Sequence, residues 1–266
     1  MTRNSIRAGL GKLSAELLSK LAERDKRIFT LDDAKEQMDT TRPALTKLLS
    51  DLVRKNWLVR LTKGRFMLLP LEAGPEPSYT EHEFVIASNL IEPHYISYWP
   101  VLNYYGWTEQ KSRRVFVATT KRKRNLKILG VDYTFVTLNR RKFFGFTASE
   151  IDGNAVNVAE KEKAIVDCLD LPRYSGGVAE VAKSIWTGRE ELDAAKMLRY
   201  ASRIGNRAAL SRLCYLLDVS GIKSVEVQAG SYSLLDPLRG RKGRYISRFK
   251  IIENVSRREL LEWREH

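Results

Sequence analysis

Asp167-Cys168-Leu169-Asp170 and Glu160-Lys161-Glu162-Lys163 contain the residue types that metal-dependent phosphoryl chemistry uses. Nearby carboxylates can hold Mg²⁺ against a triphosphate. An acid followed by acid-x-Lys on adjoining strands is the set a restriction-type nuclease requires. The spacing favours neither. Asp167 and Asp170 stand at i and i+3 of a predicted helix with Lys161 and Lys163 upstream, which reads as a solvated face. Glu160 to Lys163 also fall on a predicted helix rather than on strands. No G-x-x-x-x-G-K-[ST] loop, G-x-S-x-G elbow or H-E-x-x-H pair occurs. Cys168, Cys214 and the scattered His82, His94 and His266 have no metal-ligand spacing, and the cysteines read as buried small hydrophobes. The expectation is a binding protein, not an enzyme, with no cofactor and no metal.

Basic and hydroxyl side chains carry the more specific chemistry. Thr40, Thr41 and Arg42 open one predicted helix, Lys47, Ser50 and Arg54 follow on its polar face, and Lys63 and Arg65 flank Gly64 in a predicted hairpin. A polar-faced helix followed by a basic hairpin suits major-groove reading with phosphate clamping. A second basic cluster, Lys121, Arg122, Lys123 and Arg124, lies in a stretch, 111–129, without any acid. Such a run is usually a solvated hairpin tip; it can also be a second phosphate-binding surface or meet an acidic RNA or protein. The overall balance agrees with a polyanionic partner: 46 Lys+Arg against 32 Asp+Glu give a net +14. Residues 1–70 hold 15 basic and 8 acidic residues and residues 71–266 hold 31 and 24, so half the excess sits in about a quarter of the chain.

The elements that must position these groups are legible. Thr30-Leu31-Asp32-Asp33 is a capping-box-like start, with Leu31, Ala34 and Met38 forming one apolar side. Asp39-Thr40-Thr41 breaks that helix. The next helix has Pro43 in its first turn, where the missing N–H does no harm. Its apolar stripe, Leu45, Leu48, Leu49, Leu52 and Val53, has helical period. Asn56 ends it, and 57–61 and 65–69 read as strands around Thr62-Lys63-Gly64. With a first helix at 13–24, the pattern predicts a winged helix-turn-helix over 1–71. A Pro- and Glu-rich linker at 70–77 should follow, then a larger mixed α/β domain over 78–266; the fold class is α+β. In that domain the aromatic segment 95–107 reads as core before nucleobase platform. Runs 115–119, 133–137 and 143–146 read as strands. Helices are expected at 81–90, at 158–171 capped by Asn157, around Val178 to Trp186, at 190–203 and at 207–218. No apolar run approaches the ~20 residues needed to cross a bilayer, and Met1-Thr2-Arg3-Asn4-Ser5 leads into no signal-peptide core. A cytoplasmic location without membrane contact is the expectation.

Taken in order, these segments resemble the AbiEi family of antitoxin-regulators from bicistronic phage-defence modules. The likeness spans roughly residues 10 to 235. It rests on the basic winged helix, on Tyr95-Ile96-Ser97-Tyr98-Trp99 with Leu102-Asn103-Tyr104-Tyr105-Gly106, and on Val158-Ala159-Glu160-Lys161-Glu162-Lys163-Ala164-Ile165-Val166-Asp167 leading to Pro172 and Gly176-Gly177. Asn206-Arg207-Ala208-Ala209-Leu210-Ser211-Arg212-Leu213 resembles the family's late helix. The resemblance implies a repressor of its own operon that binds promoter inverted repeats in double-stranded DNA. It further implies a C-terminal domain that counters a nucleotidyltransferase toxin encoded alongside, without a stable toxin–antitoxin complex; that toxin or its RNA target is a candidate partner. A stand-alone winged-helix regulator without a toxin is the alternative, and a nucleic-acid-processing enzyme a lesser one. The basic tail from Arg239 to Arg244 has no counterpart role in the family.

Overall fold

A computed structural model describes residues 9–24, 26–69, 82–110, 112–228 and 230–265. The expected linker at 70–77 lies outside the described residues. The chain forms two compact units, Met1–Glu92 with Lys127–Val131, and Pro93–Leu126 with Asp132–His266. The boundary between them falls at Glu92 and Pro93, beyond the 71 and 78 that the sequence suggests.

In the first unit α1 (Lys12–Glu23), β1 (Ile28–Thr30), α2 (Leu31–Gln37) and α3 (Arg42–Arg54) precede the hairpin of β2 (Leu58–Thr62) and β3 (Arg65–Leu68), then α4 (Glu83–Ser88). The core joins Leu17 and Leu21 of α1 to Ala34 of α2, Leu45, Leu49 and Leu52 of α3, and Phe29, Leu58 and Phe66 of the sheet. Leu48 and Val53 pack partly buried at its edge. The sheet has three strands rather than two, in the antiparallel order β1-β3-β2. Strand β1 is only Ile28-Phe29-Thr30, too short to show an alternating pattern. Thr30 then caps α2. Its hydroxyl accepts from the Asp33 amide at 3.1 Å while its own amide donates to the Asp33 carboxylate at 2.7 Å.

That capping box has a measurable acid limb. Burial opposes ionisation of Asp33, but hydrogen bonds from Lys26 and from the Thr30 amide and hydroxyl outweigh it and hold the carboxyl below its ordinary value. A depressed folded-state pKa contributes stability that is present above the unfolded value and lost as pH falls through the folded one. Thr30→Ala is therefore expected to cost the first unit about 1 kcal/mol at neutral pH. It should also weaken the loss of stability below the ordinary aspartate range. Urea titrations at neutral and acid pH check both, and equal losses for wild type and variant across that range would refute the linkage.

The second unit contains β4 (His94–Ser97), α5 (Trp99–Tyr104), β5 (Arg114–Thr119), β7 (Val131–Thr137), β8 (Phe146–Ile151) and β9 (Asn154–Ala159), with helices α6 (Lys161–Asp170), α7 (Val178–Thr187), α8 (Ala194–Ile204) and α9 (Arg207–Val219). These strands form a mixed sheet in the order β7-β5-β4-β9-β8, and β6 (Leu126–Ile128) lies between β5 and β7 in the chain. Pairs β5/β7 and β4/β9 are parallel, and β4/β5 and β8/β9 antiparallel. A small sheet of β10 (Ser233–Leu234), β12 (Ile251–Glu253) and β11 (Arg244–Ile246) and helix α10 (Arg257–Leu261) complete the unit. The aromatic segment is core in part: Tyr95, Tyr98 and Trp107 are buried, Trp99 and Tyr105 half-buried, and Tyr104 exposed.

Two expectations are corrected here. Asn157 does not cap a helix; it lies in β9, whose Val156, Val158 and Ala159 are buried, and α6 starts only after Glu160. The 143–146 strand is likewise displaced: Phe143 closes the 3₁₀ turn Arg140–Lys142 and β8 begins at Phe146. No helix among the described residues is long and apolar enough to cross a membrane.

Candidate nucleic-acid interface

Helix α3 is positioned by its buried leucines, so its other side faces solvent. Thr41, Arg42, Lys47, Ser50 and Arg54 are all exposed. Thr40 is half-buried in the turn between α2 and α3, where its amide donates to Met38 O at 2.9 Å. Thr41 is the N-cap, and its hydroxyl accepts from the Ala44 amide at 3.4 Å. Arg42 follows at the first helical position and forms an exposed ion pair with Asp32 of α2 at 3.0 Å. Thr46 and Ser50 stand at i+4 and i+8 from Arg42, one above the other. Their hydroxyls donate back to Arg42 O and Thr46 O, each at 2.8 Å. Arg54, at the far end, pairs with Asp51 at 2.8 Å.

The β2–β3 turn brings a second set of basic groups beside the start of this helix. Gly64 has φ +75°, which a side chain would strain, and lets the chain reverse directly after the exposed Lys63. A cavity of about 600 Å³ lies between Arg42 and Thr46 of α3 and Arg60, Lys63 and Arg65 of the hairpin, with Asp32 the one acid in its wall. A shallower depression of about 520 Å³ is lined by Arg42, Pro43, Thr46, Lys47 and Ser50. The geometry thus unites Arg42, Lys63 and Arg65 in one basic groove, sets Lys47 and Ser50 on the adjoining helix face, and leaves Thr40, Thr41 and Arg54 out of both.

Arg65 differs from its expected role as a free clamp. It is half-buried and donates to Asn89 O at 3.1 Å and Asn89 Oδ1 at 3.3 Å. Arg60 and Thr46 are members of the groove that sequence reasoning missed. The signal for Arg60 was its polarity between the buried Leu58 and Leu61; for Thr46 it was the four-residue spacing from Arg42 to Ser50.

The cluster Lys121, Arg122, Lys123 and Arg124 sits on the β5–β6 connection rather than at a hairpin tip, because β5 pairs in parallel with β7 and β6 lies between them in the chain. Lys121, Arg122 and Arg124 are exposed. Lys123 is half-buried with its ammonium 5.4 Å from the centre of the Phe135 ring, and burial lowers its pKa.

The acids of α6 are also corrected. This helix packs against α5, α7, α8 and α9, and every residue from Glu162 to Asp170 is buried, so it has no solvated face there. Asp167 accepts from Tyr95 at 3.0 Å, from Ser97 at 2.8 Å and from Lys163. Lys163 is fully buried and also donates to the Tyr95 oxygen at 2.8 Å. Burial pushes the Asp167 carboxyl up and the Lys163 ammonium down, each opposed by the other's charge. Asp170 accepts from Lys142 at 2.7 Å and from Asn206 at 2.7 Å. Both carboxylates are thereby committed to protein partners, and no group of His, Cys, Asp and Glu with metal-binding geometry occurs among the described residues.

No family model matches the sequence, and no curated protein is significantly similar to it. Among solved structures, the RV2827C protein from Mycobacterium tuberculosis is similar at a TM-score of 0.68 and 14% identity, over 99% of this chain and 98% of that one. At that identity the likeness establishes a shared α+β fold.

Proposed function

We propose that the protein is a DNA-binding transcriptional repressor of the AbiEi type. Its first unit is a winged helix-turn-helix, with α3 as the recognition helix and the β2–β3 hairpin as the wing. The observation that supports this most directly is the groove in which Arg42, Arg60 and Lys63 converge beside the exposed face of α3. Major-groove reading needs a solvent-facing helix with polar side chains at its N-terminal end, and phosphate contacts need basic groups at its flank. Both are supplied by neighbouring elements of one unit. The second unit is the antitoxin part, acting by binding rather than chemistry on a nucleotidyltransferase toxin or that toxin's RNA target. The exposed charges of the β5–β6 connection are its contact surface.

The test is anisotropy of the full chain on a duplex carrying its own promoter and on an unrelated duplex, across a salt series. Arg60→Ala and Lys63→Ala should weaken both by similar factors and flatten the salt slope by about 0.9 for each lost phosphate contact. Unchanged binding in both variants rejects the winged-helix reading. For the antitoxin part, co-expression with a nucleotidyltransferase gene adjoining this one should restore growth. Charge reversal at Lys121, Arg122 and Arg124 should reduce rescue while leaving promoter repression largely intact. Absence of rescue by the unaltered protein leaves a stand-alone regulator as the better description.

A further inference from the structure

The basic stretch around β5 is split by the fold into two separate places. Lys121 to Arg124 follow the C-terminal end of the strand, whereas Arg113 and Arg114 stand at its N-terminal end, roughly 20 Å away along a six-residue strand. Arg113 and Arg114 meet Arg173 there, from the 3₁₀ turn Pro172–Tyr174 that follows α6, around a cavity of about 310 Å³. Asp132 of β7, Tyr174 and Trp99 are also in the wall.

Three features of this cavity are unexplained by folding alone. Arg113, Arg114 and Arg173 are exposed, and among the described residues none of them makes an ion pair, although Asp132 is the register partner of Arg114. Like charges gathered in one concavity repel one another unless an anion joins them. The guanidinium of Arg173 lies over the Tyr174 ring, 4.7 Å from its centre, so the ring backs the cation. Tyr174 is held from behind by Phe116 at 4.9 Å and by Tyr98 at 5.4 Å, so its orientation is fixed by core packing. The opposite wall is similarly set: Gly176, at φ +77°, lies so close to the Trp99 indole that a Cβ would come within 2.7 Å of it. The indole Nε1 of Trp99 is buried with no acceptor among the described residues.

We propose that this cavity is a mononucleotide site: the arginines take the phosphate, the Arg173–Tyr174 pair stacks the base, and the Asp132 carboxylate accepts from a ribose hydroxyl or a base amine. Arginine forks match phosphate geometry, and guanidinium planes and aromatic rings stack nucleobases without sequence preference. The volume suits one nucleotide, since it lies at the low end of the ~300–1,000 Å³ range of small-ligand pockets. The site is independent of the groove at α3. Its ligand is a 5′-nucleotide, either free or as the end of a single strand.

Calorimetric titration of the full-length protein decides the matter, with adenosine 5′-monophosphate, adenosine, inorganic phosphate and a 5′-phosphorylated trinucleotide as probes. The monophosphate should bind saturably, about ten-fold or more tighter than adenosine or phosphate alone, because only it engages both halves of the site. Arg173→Gln and Arg114→Gln should each weaken it by about ten-fold or more, the worth of a lost charge-assisted contact. Arg60→Gln in the α3 groove should leave it unchanged. Trinucleotide binding tighter than the monophosphate assigns the site to strand ends, and weaker binding to free nucleotides. Circular dichroism melts matching the wild type establish that the variants fold, and Arg173→Lys provides a second, charge-conserving variant with partial loss expected. The proposal is overturned if the monophosphate binds no tighter than phosphate, or if both Gln variants bind it normally.

Discussion

Replacing Lys163 with methionine is expected to destabilise the second unit by about 3–5 kcal/mol, a large share of the stability of a domain this size. The methionine fills a similar volume, so the loss reports electrostatics rather than a hole. It strands the Asp167 carboxylate, 2% exposed, with only the Tyr95 and Ser97 hydroxyls as donors. Asp167→Leu should be comparably damaging because it leaves a fully buried ammonium facing the Tyr95 oxygen. The double exchange Lys163→Met with Asp167→Leu should cost clearly less than the two single losses added, since neither charge is then left unpaired. Urea unfolding of the four proteins measures the coupling. Additive losses, or single losses below about 1 kcal/mol, would show that the pair is not the organising contact of α6.

Arg42→Ala and Lys47→Ala are expected to behave differently from the hairpin variants. If the N-terminal part of α3 reaches base edges, each should lose about 1–3 kcal/mol on the preferred sequence and much less on unrelated DNA, narrowing discrimination by roughly 5- to 150-fold. Arg42 also loses its exposed ion pair with Asp32, but such pairs contribute little. Selection of binding sites from a randomised duplex pool reads the result directly. An unaltered consensus in both variants would assign recognition to other residues of the unit.

The helical parts of the first unit were readable because their signals are local: the Thr30–Asp33 capping box, Pro43 in the first turn, and the leucine stripe of α3 each lie within one element. Strand β1 was not readable because three residues cannot display a period, and its existence depends on β3, far along the chain. One local signal went unread. Asp152-Gly153, with both φ angles positive at +48° and +71°, is a strong hairpin turn sequence, and it separates β8 from β9, the strand that holds the Asn157 expected to cap a helix from 158. The charges of α6 misled for a different reason. A helix with two lysines and three acids has the composition of a solvated face. Its partner hydroxyls on β4 are 70 and 72 residues away from Asp167, so only the folded sheet shows them to be neighbours. The basic groove was half legible: the residues on the helix and in the turn were visible as charges, but Arg60 joins them through strand register and Arg65 turns partly away to Asn89.

The pairing of Arg65 with Asn89 makes one side chain answerable to two claimants. Any phosphate that draws its guanidinium outward must do so in competition with the carbonyl and amide oxygens of Asn89, just past the end of α4. If the proposed phosphate contact draws Arg65 away, the two equilibria would be reciprocal: whatever strengthens the hold of Asn89 would weaken the grip on the phosphate by the same factor. A lysine elsewhere on the hairpin is spared that conflict. Under the proposed function, the occupation of this one arginine would be legible at the end of α4 as well as on the hairpin.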